Sequence, residues 1–190
     1  QGDSLAQLRA GLCYLSGTGC RKNEAVAVKW FLTAAEQEEP TALWHLGECY
    51  LNGIGVELST DEGVRWLRKA VALKSTKAKL SLGKCYARGI GVSSSMRTAA
   101  KWYKEAAEQG NAEAAYLLSL SFDNGGSPKK NRWESLKWLT AAAEGGYPEA
   151  PLALAEKYYS GEGVTKGVAE ACKWFIVAGR QGSAQAQFRV

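Results

Sequence analysis

ALWHLGECYLNGIGVELSTDEGVRWLRKA, residues 42–70, reads as a helix, a glycine-rich turn and a second helix. Apolar residues recur at helical spacing on both sides of the turn: Leu43, Leu46 and Tyr50 before it, Val64, Leu67 and Val71 after it. The whole pattern returns every 36 residues, at Trp30, Trp66, Trp102, Trp138 and Trp174, and at Gly17, Gly53, Gly89, Gly125 and Gly161. Ala6, Ala42, Ala78, Ala114, Ala150 and Ala186 keep the same step. A fixed period held over five copies without insertion or deletion marks a stacked array of one supersecondary unit. Each unit of such an array contacts mainly its neighbours, so residues 1–190 are expected to form one elongated domain.

The repeats fall at about 4–39, 41–75, 77–110, 112–146 and 148–182, with a partial sixth at 183–190. The first has helices near Ser4–Leu15 and Asn23–Gln37. The expected fold is all-α, about five helix pairs in a right-handed superhelix without sheet. Small residues mark where helices must approach closely: Gly11, Gly47 and Gly83 in one register, with Ser119 and Ala155 after them. Ala34, Ala70, Ala106, Ala142 and Ala178 form another. Glycine is costly inside a helix, so its recurrence there implies packing that a side chain would block.

The turn reads G-x-G-V at Gly53-Ile54-Gly55-Val56, Gly89-Ile90-Gly91-Val92 and Gly161-Glu162-Gly163-Val164. Its first glycine suits a left-handed helix stop and its second a tight bend. A phosphate-binding loop is excluded, because the motif follows a helix, lacks the Gly-Lys-Ser/Thr ending and recurs with the repeat. The fourth repeat breaks the pattern with Gly125-Gly126-Ser127-Pro128, followed by Lys129, Lys130 and Arg132. This reads as drift rather than a site.

Composition bounds function more loosely. Hydrophobic residues make up 46% and charged ones 23%, ordinary values for a folded water-soluble domain. No apolar run is long enough to span a bilayer. The 24 basic and 19 acidic side chains leave a net charge of +5, without any Lys/Arg cluster resembling a nucleic-acid arm. The opening QGDSLAQ is no secretory leader and matches the end of an internal repeat, Glu108-Gln109-Gly110-Asn111-Ala112. The chain therefore reads as a piece of a longer array.

The motif A-x-x-L-G-x-x-Y-x-x-G-x-G-V, followed by a helix with K/R-W and Ala-Ala, resembles the Sel1-like repeat. The second repeat carries Ala42, Leu46, Gly47, Tyr50, Gly53, Gly55, Val56, Trp66 and Ala70. The third carries Ala78, Leu82, Gly83, Tyr86, Gly89, Gly91, Val92, Trp102, Ala106 and Ala107. The resemblance implies an α/α solenoid related to tetratricopeptide arrays, with the first helices lining a concave face. It also implies an adaptor in protein complexes, without naming the partner.

Catalytic chemistry finds little purchase. The single histidine, His45, stands where other repeats have Arg9, Ser81, Leu117 and Ala153, and is expected at the surface. With no acid–base or metal constellation the chain is not expected to be an enzyme or to hold a cofactor, an enzyme segment being the remote alternative. Cys20 and Cys172 are expected as small core residues. Cys13, Cys49 and Cys85 share one register, and equivalent positions in stacked repeats lie about 10 Å apart. A disulfide needs a Cα separation of roughly 4.4–6.8 Å, so reduced thiols follow. They favour a cytoplasmic setting, with a periplasmic or secreted one left open. The tryptophans are expected in the core, clamping repeat to repeat, with Trp133 exposed. Lys29, Arg65, Lys101, Lys137 and Lys173, each preceding a periodic tryptophan, are expected as an outer, solubilising ladder.

By analogy with tetratricopeptide arrays, partner-binding residues lie on the first helices. One register holds Leu8, Trp44, Leu80, Tyr116, Leu152 and Phe188, and serves either groove or inter-helix core. A second holds Leu12, Glu48, Lys84, Leu120 and Glu156, and a third Leu15, Leu51, Ala87, Asp123 and Tyr159, with Arg88 beside it. The candidate groove is thus Trp44, Glu48, Leu51, Lys84, Arg88, Tyr116, Asp123, Glu156 and Tyr159. Trp44, Tyr116 and Tyr159 are its anchors, large amphipathic rings of the kind enriched in hot spots. The function expected is a scaffold holding a partner peptide or domain. The alternative is an immunity-type inhibitor capping a partner's active site.

Overall fold

The structure, a computed structural model, describes residues 2–123, 131–162, 164–183 and 186. The Gly125–Lys130 stretch, Gly163 and Phe188 lie outside the described residues. Among these there are ten α-helices and no strand. They are α1 (Ser4–Ser16), α2 (Glu24–Glu36), α3 (Pro40–Asn52), α4 (Thr60–Ala72) and α5 (Thr76–Arg88), then α6 (Met96–Ala107), α7 (Ala112–Asp123), α8 (Arg132–Glu144), α9 (Ala150–Ser160) and α10 (Val168–Arg180). The backbone forms two compact units, Gln1–Ser95 with α1–α5 and Met96–Val190 with α6–α10, divided between the two helices of the third repeat.

Local chemistry sets the helix ends. Side-chain oxygens of Asp3, Asn23, Ser59, Ser75 and Asn131 accept from backbone N–H groups of the first turn, relieving donors that have no intrahelical partner. First helices stop at Gly17, Gly53, Gly89 and Gly161, all left-handed, each returning its N–H to the carbonyl four residues back.

In the first unit each helix pair closes on a small residue. A Cβ at Gly11 would stand 2.5 Å from the Phe31 ring, and one at Gly47 2.6 Å from Leu67 Cδ2. Gly63 of α4 faces back, where a Cβ would meet Leu51 Cγ at 2.6 Å. The second unit keeps the register with Ser119 and Ala155, both buried, and the Ser119 hydroxyl donates to the Tyr116 carbonyl of its own helix at 2.7 Å.

The expectation for the periodic tryptophans needs correction. Only Trp138 is buried; Trp66, Trp102 and Trp174 are half-buried and Trp30 is 37% exposed. The large core residue of each second helix is the next one along: Phe31, Leu67, Tyr103, Leu139 and Phe175, none more than 3% exposed. One step along a helix turns a side chain by about 100°, which carries the tryptophan from the core onto the seam. Trp66, for instance, shares a cleft with Leu32 and Ala35 of the preceding second helix. Trp133 is exposed, as expected.

The second turn glycine does more than bend the chain. A Cβ on Gly55 would lie 2.3 Å from the Glu24 carbonyl oxygen, and one on Gly91 2.5 Å from that of Thr60. The turn of one repeat therefore rests backbone-to-backbone on the start of the previous second helix. Gly19, with the same left-handed backbone, has nothing within 4 Å of its Cβ position. The pair separates backbone strain from inter-repeat contact. Gly19→Ala should cost about 1–2 kcal/mol, the penalty of a left-handed L-residue. Gly55→Ala should cost about 1–3 kcal/mol more, from overpacking, read as a lower urea midpoint. Equal midpoints would contradict the inter-repeat contact.

Candidate interaction surface

In the first unit the face of α3 and α5 is knit by side chains from both helices. Trp44 Nε1 donates to Ser81 Oγ at 3.0 Å, and Ser81 Oγ donates in turn to Glu48 Oε1 at 2.6 Å. The Lys77 ammonium stands 4.8 Å over the Trp44 ring. Trp44 and Glu48 are thus brought together, through a serine and a lysine that sequence reasoning passed over. Their signal lay in the register: Ser81 and Lys77 sit where α5 stacks beside α3. Lys84 is half-buried and Arg88 exposed, and α5 carries Lys77, Lys79, Lys84 and Arg88 with no carboxylate. Leu8 and Leu80 of the first candidate register are buried, so there it serves the core. Leu51 packs towards Gly63.

His45 corrects a second expectation. Instead of lying free on the surface, it stacks on Phe31 at 4.9 Å with planes 9° apart and abuts Trp44 at 4.4 Å. Burial, and then the charge of Lys77, push its pKa down from 6.5 to about 4. The thiols correct a third. Cys172 is exposed and Cys20 half-buried, while Cys49 and Cys85 are the buried pair. All five are free thiols. Burial first, and then the Glu48 carboxylate, raise the Cys49 and Cys85 thiols to about 11.

In the second unit, Tyr116 of α7 packs on Tyr147 with ring centres 4.9 Å apart. Burial and then Glu149 raise the pKa of both phenols. Tyr116, Glu149, Leu152, Ala153 and Glu156 line one cleft. Asp123 is held by Lys157 at 2.9 Å, the two side chains only 25% and 15% exposed. Tyr159 is 51% exposed, with its edge against Phe175 and the Lys166 ammonium 5.7 Å over its face. On the second helices Lys29, Arg65, Lys101, Lys137 and Lys173 are all exposed. Among the described residues no group of three His, Cys, Asp or Glu could hold a metal, and no helix is long and apolar enough to cross a membrane.

Comparison with known proteins is consistent along the chain. The family model described as Sel1 repeat matches five times, at residues 4–39, 40–75, 76–111, 112–147 and 148–183. A protective antigen of uropathogenic Escherichia coli with an SLR fold superposes with a TM-score of 0.92 at 34% identity, covering 98% of this chain and 40% of that one. The chain therefore spans two fifths of that relative's length. A Sel1 repeat protein from Oxalobacter formigenes gives a TM-score of 0.92 at 30% identity, covering 98% of this chain and 76% of that one. An immunity protein from Pseudomonas aeruginosa shares the fold at a TM-score of 0.63 and 20% identity, covering 99% and 69%. Curated protein sequences return no significant match.

Two outcomes follow from the site's electrostatics. Because the unfolded chain protonates His45 near 6.5 and the folded one only near 4, stability from this group is complete above about 6.5 and is lost as pH falls between those values. His45→Phe should flatten that part of the melting-temperature profile; a ring titration midpoint near 6.5 in the folded protein would contradict it. At neutral pH a thiol reagent should label Cys13 and Cys172 quickly and reach Cys49 and Cys85 only on unfolding. Fast labelling of either buried thiol would mean the helix pairs are open.

Proposed function

The chain belongs to the Sel1 repeat family, and from that premise we propose that it is a protein–protein interaction scaffold whose first helices take an extended peptide or a partner domain. Proteins of this family typically bind protein partners. The observation that carries the reading is α5, where Lys77 and Arg88 are exposed and Lys84 half-buried on a helix without a carboxylate, the fourth cation, Lys79, being buried. The residues that pack α5 are Ala78, Lys79, Leu80, Leu82, Gly83 and Cys85, at other positions of the helix than Lys77, Lys84 and Arg88.

Binding by this face would make and break no covalent bond. Trp44 presents a ring fixed by Ser81 and Lys77, and Glu48 is tied into the same hydrogen-bonded chain. A ring already immobilised loses little side-chain entropy on association, which is what an anchor needs. Lys84 and Arg88 add cations that favour a carboxylate of the partner, while Tyr116, Glu156 and Tyr159 are the corresponding contact candidates of the second unit. Leu51 and Asp123 have scaffold partners, Gly63 and Lys157, and contribute by shaping the surface rather than by reaching out. An inhibitor capping one protein in a tight one-to-one complex is the narrower form of the same reading.

Affinity capture with the immobilised protein tests it. Partners held by the wild type should be lost with Lys84→Glu/Arg88→Glu and kept with Lys101→Glu/Lys137→Glu on the outer side, the difference being largest at low salt. Circular dichroism of both variants should remain helical. Loss with the outer pair and retention with the first-helix pair would move the site to the second helices and overturn the proposal.

A further inference from the structure

The first-helix faces of the two units share a frame and carry opposite charge. Stepping 33, 37 and 40 residues on from Trp44 reaches Lys77, Ser81 and Lys84; the same steps from Tyr116 reach Glu149, Ala153 and Glu156. In the first unit the cation is supplied internally, with the Lys77 ammonium lying 4.8 Å over the Trp44 ring. In the second unit a carboxylate stands at that position. Among the described residues, the cleft bounded by Tyr116, Glu149, Leu152, Ala153, Glu156 and the turn at Gln181 has no lysine or arginine in its lining. Tyr147, outside that lining, backs the Tyr116 ring with its own ring 4.9 Å away.

We propose that this cleft is a subsite for a lysine or arginine side chain of a protein partner, with the charged head on Tyr116 between Glu149 and Glu156. The ring quadrupole attracts a cation to the tyrosine face. Two carboxylates beside a half-buried wall add a Coulomb attraction that water screens less than on open surface. Leu152 and Ala153 give the aliphatic stem of such a side chain an apolar bed. A phosphate-bearing ligand is disfavoured, because Glu149 and Glu156 repel it. The first unit, with Lys84 and Arg88, favours the opposite charge. The inference rests on the reading that the first helices form the binding side.

The test uses two short peptides of matched length, one alternating lysine with leucine and one alternating glutamate with leucine. Binding is followed by resonance shifts across the uniformly labelled protein, the rings of Tyr116 and Tyr147 above all. The lysine peptide should shift both resonances saturably and the glutamate peptide should not. Glu149→Gln/Glu156→Gln, which keeps side-chain size, should weaken the lysine peptide about tenfold, two carboxylate contacts being worth roughly 1.4 kcal/mol together. If the lysine peptide shifts other first-helix residues but leaves Tyr116 and Tyr147 unmoved, this subsite fails and the first-helix reading stands. If it shifts only second-helix residues, both fail. Undiminished binding by the glutamine variant also overturns the subsite, and the wild-type shift map decides the matter even if that variant does not fold.

Discussion

Close approach of a first helix to the large side chain of its partner is the constraint on which the rest of the structure depends. At Gly11 and Gly47 there is no room for a single methyl group, since Phe31 and Leu67 occupy the place where it would be. Shape complementarity at that distance fixes how the two helices cross, because ridges of one must enter the grooves of the other. Once the crossing is fixed, the turn can reach the previous repeat, and Gly55 and Gly91 rest on the carbonyls of Glu24 and Thr60. In the first unit helix pairing and repeat stacking are thus both set by glycines. The one acts where a side chain must be absent, the other where backbone must touch backbone.

The unbroken spacing of tryptophans, glycines and alanines made the helix pairs legible, together with their number and their turns. It did so because these residues mark contacts within a repeat and between adjacent ones. The tryptophan was misread for a reason of periodicity. It is the most conspicuous periodic residue, yet its half-exposed seam position differs by one helical step from the buried series Phe31, Leu67, Tyr103, Leu139 and Phe175, whose chemistry varies and so draws less notice. The join between repeats was also hidden. Glu38 and Lys74 adopt the left-handed backbone that Gly110, Gly146 and Gly182 adopt at the same register, so glycine marks only three of the five joins. His45 could not be placed from its own register, because beside its neighbour Trp44 it stacks on Phe31 of α2, a helix that meets α3 only in the fold.

The candidate surface was legible in part. The register pointed to Trp44, Glu48, Tyr116 and Glu156, but pairing is a property of the next helix along. Ser81, Lys77, Lys157 and Glu149 became visible only with first helices side by side. The scaffold positions keep small or apolar residues throughout, whereas the neighbouring first-helix positions change from Lys77 and Lys84 to Glu149 and Glu156. That division lets one backbone present different charges without altering its packing, which is how a repeat array acquires specificity.

A double-mutant cycle at the α3–α4 crossing tests the central claim most directly, with stability measured by urea denaturation of Gly47→Ala, Leu67→Ala and the pair. Gly47→Ala alone should destabilise by about 1–3 kcal/mol, because its methyl group meets Leu67 Cδ2 at 2.6 Å. With Leu67 already cut to alanine only the Gly63 carbonyl oxygen at 3.2 Å still crowds the methyl group, and the cost of Gly47→Ala should fall towards zero, offset by the helix preference of alanine over glycine, about 1 kcal/mol. Strictly additive effects would contradict the account, for they would mean that Gly47 and Leu67 do not set the crossing.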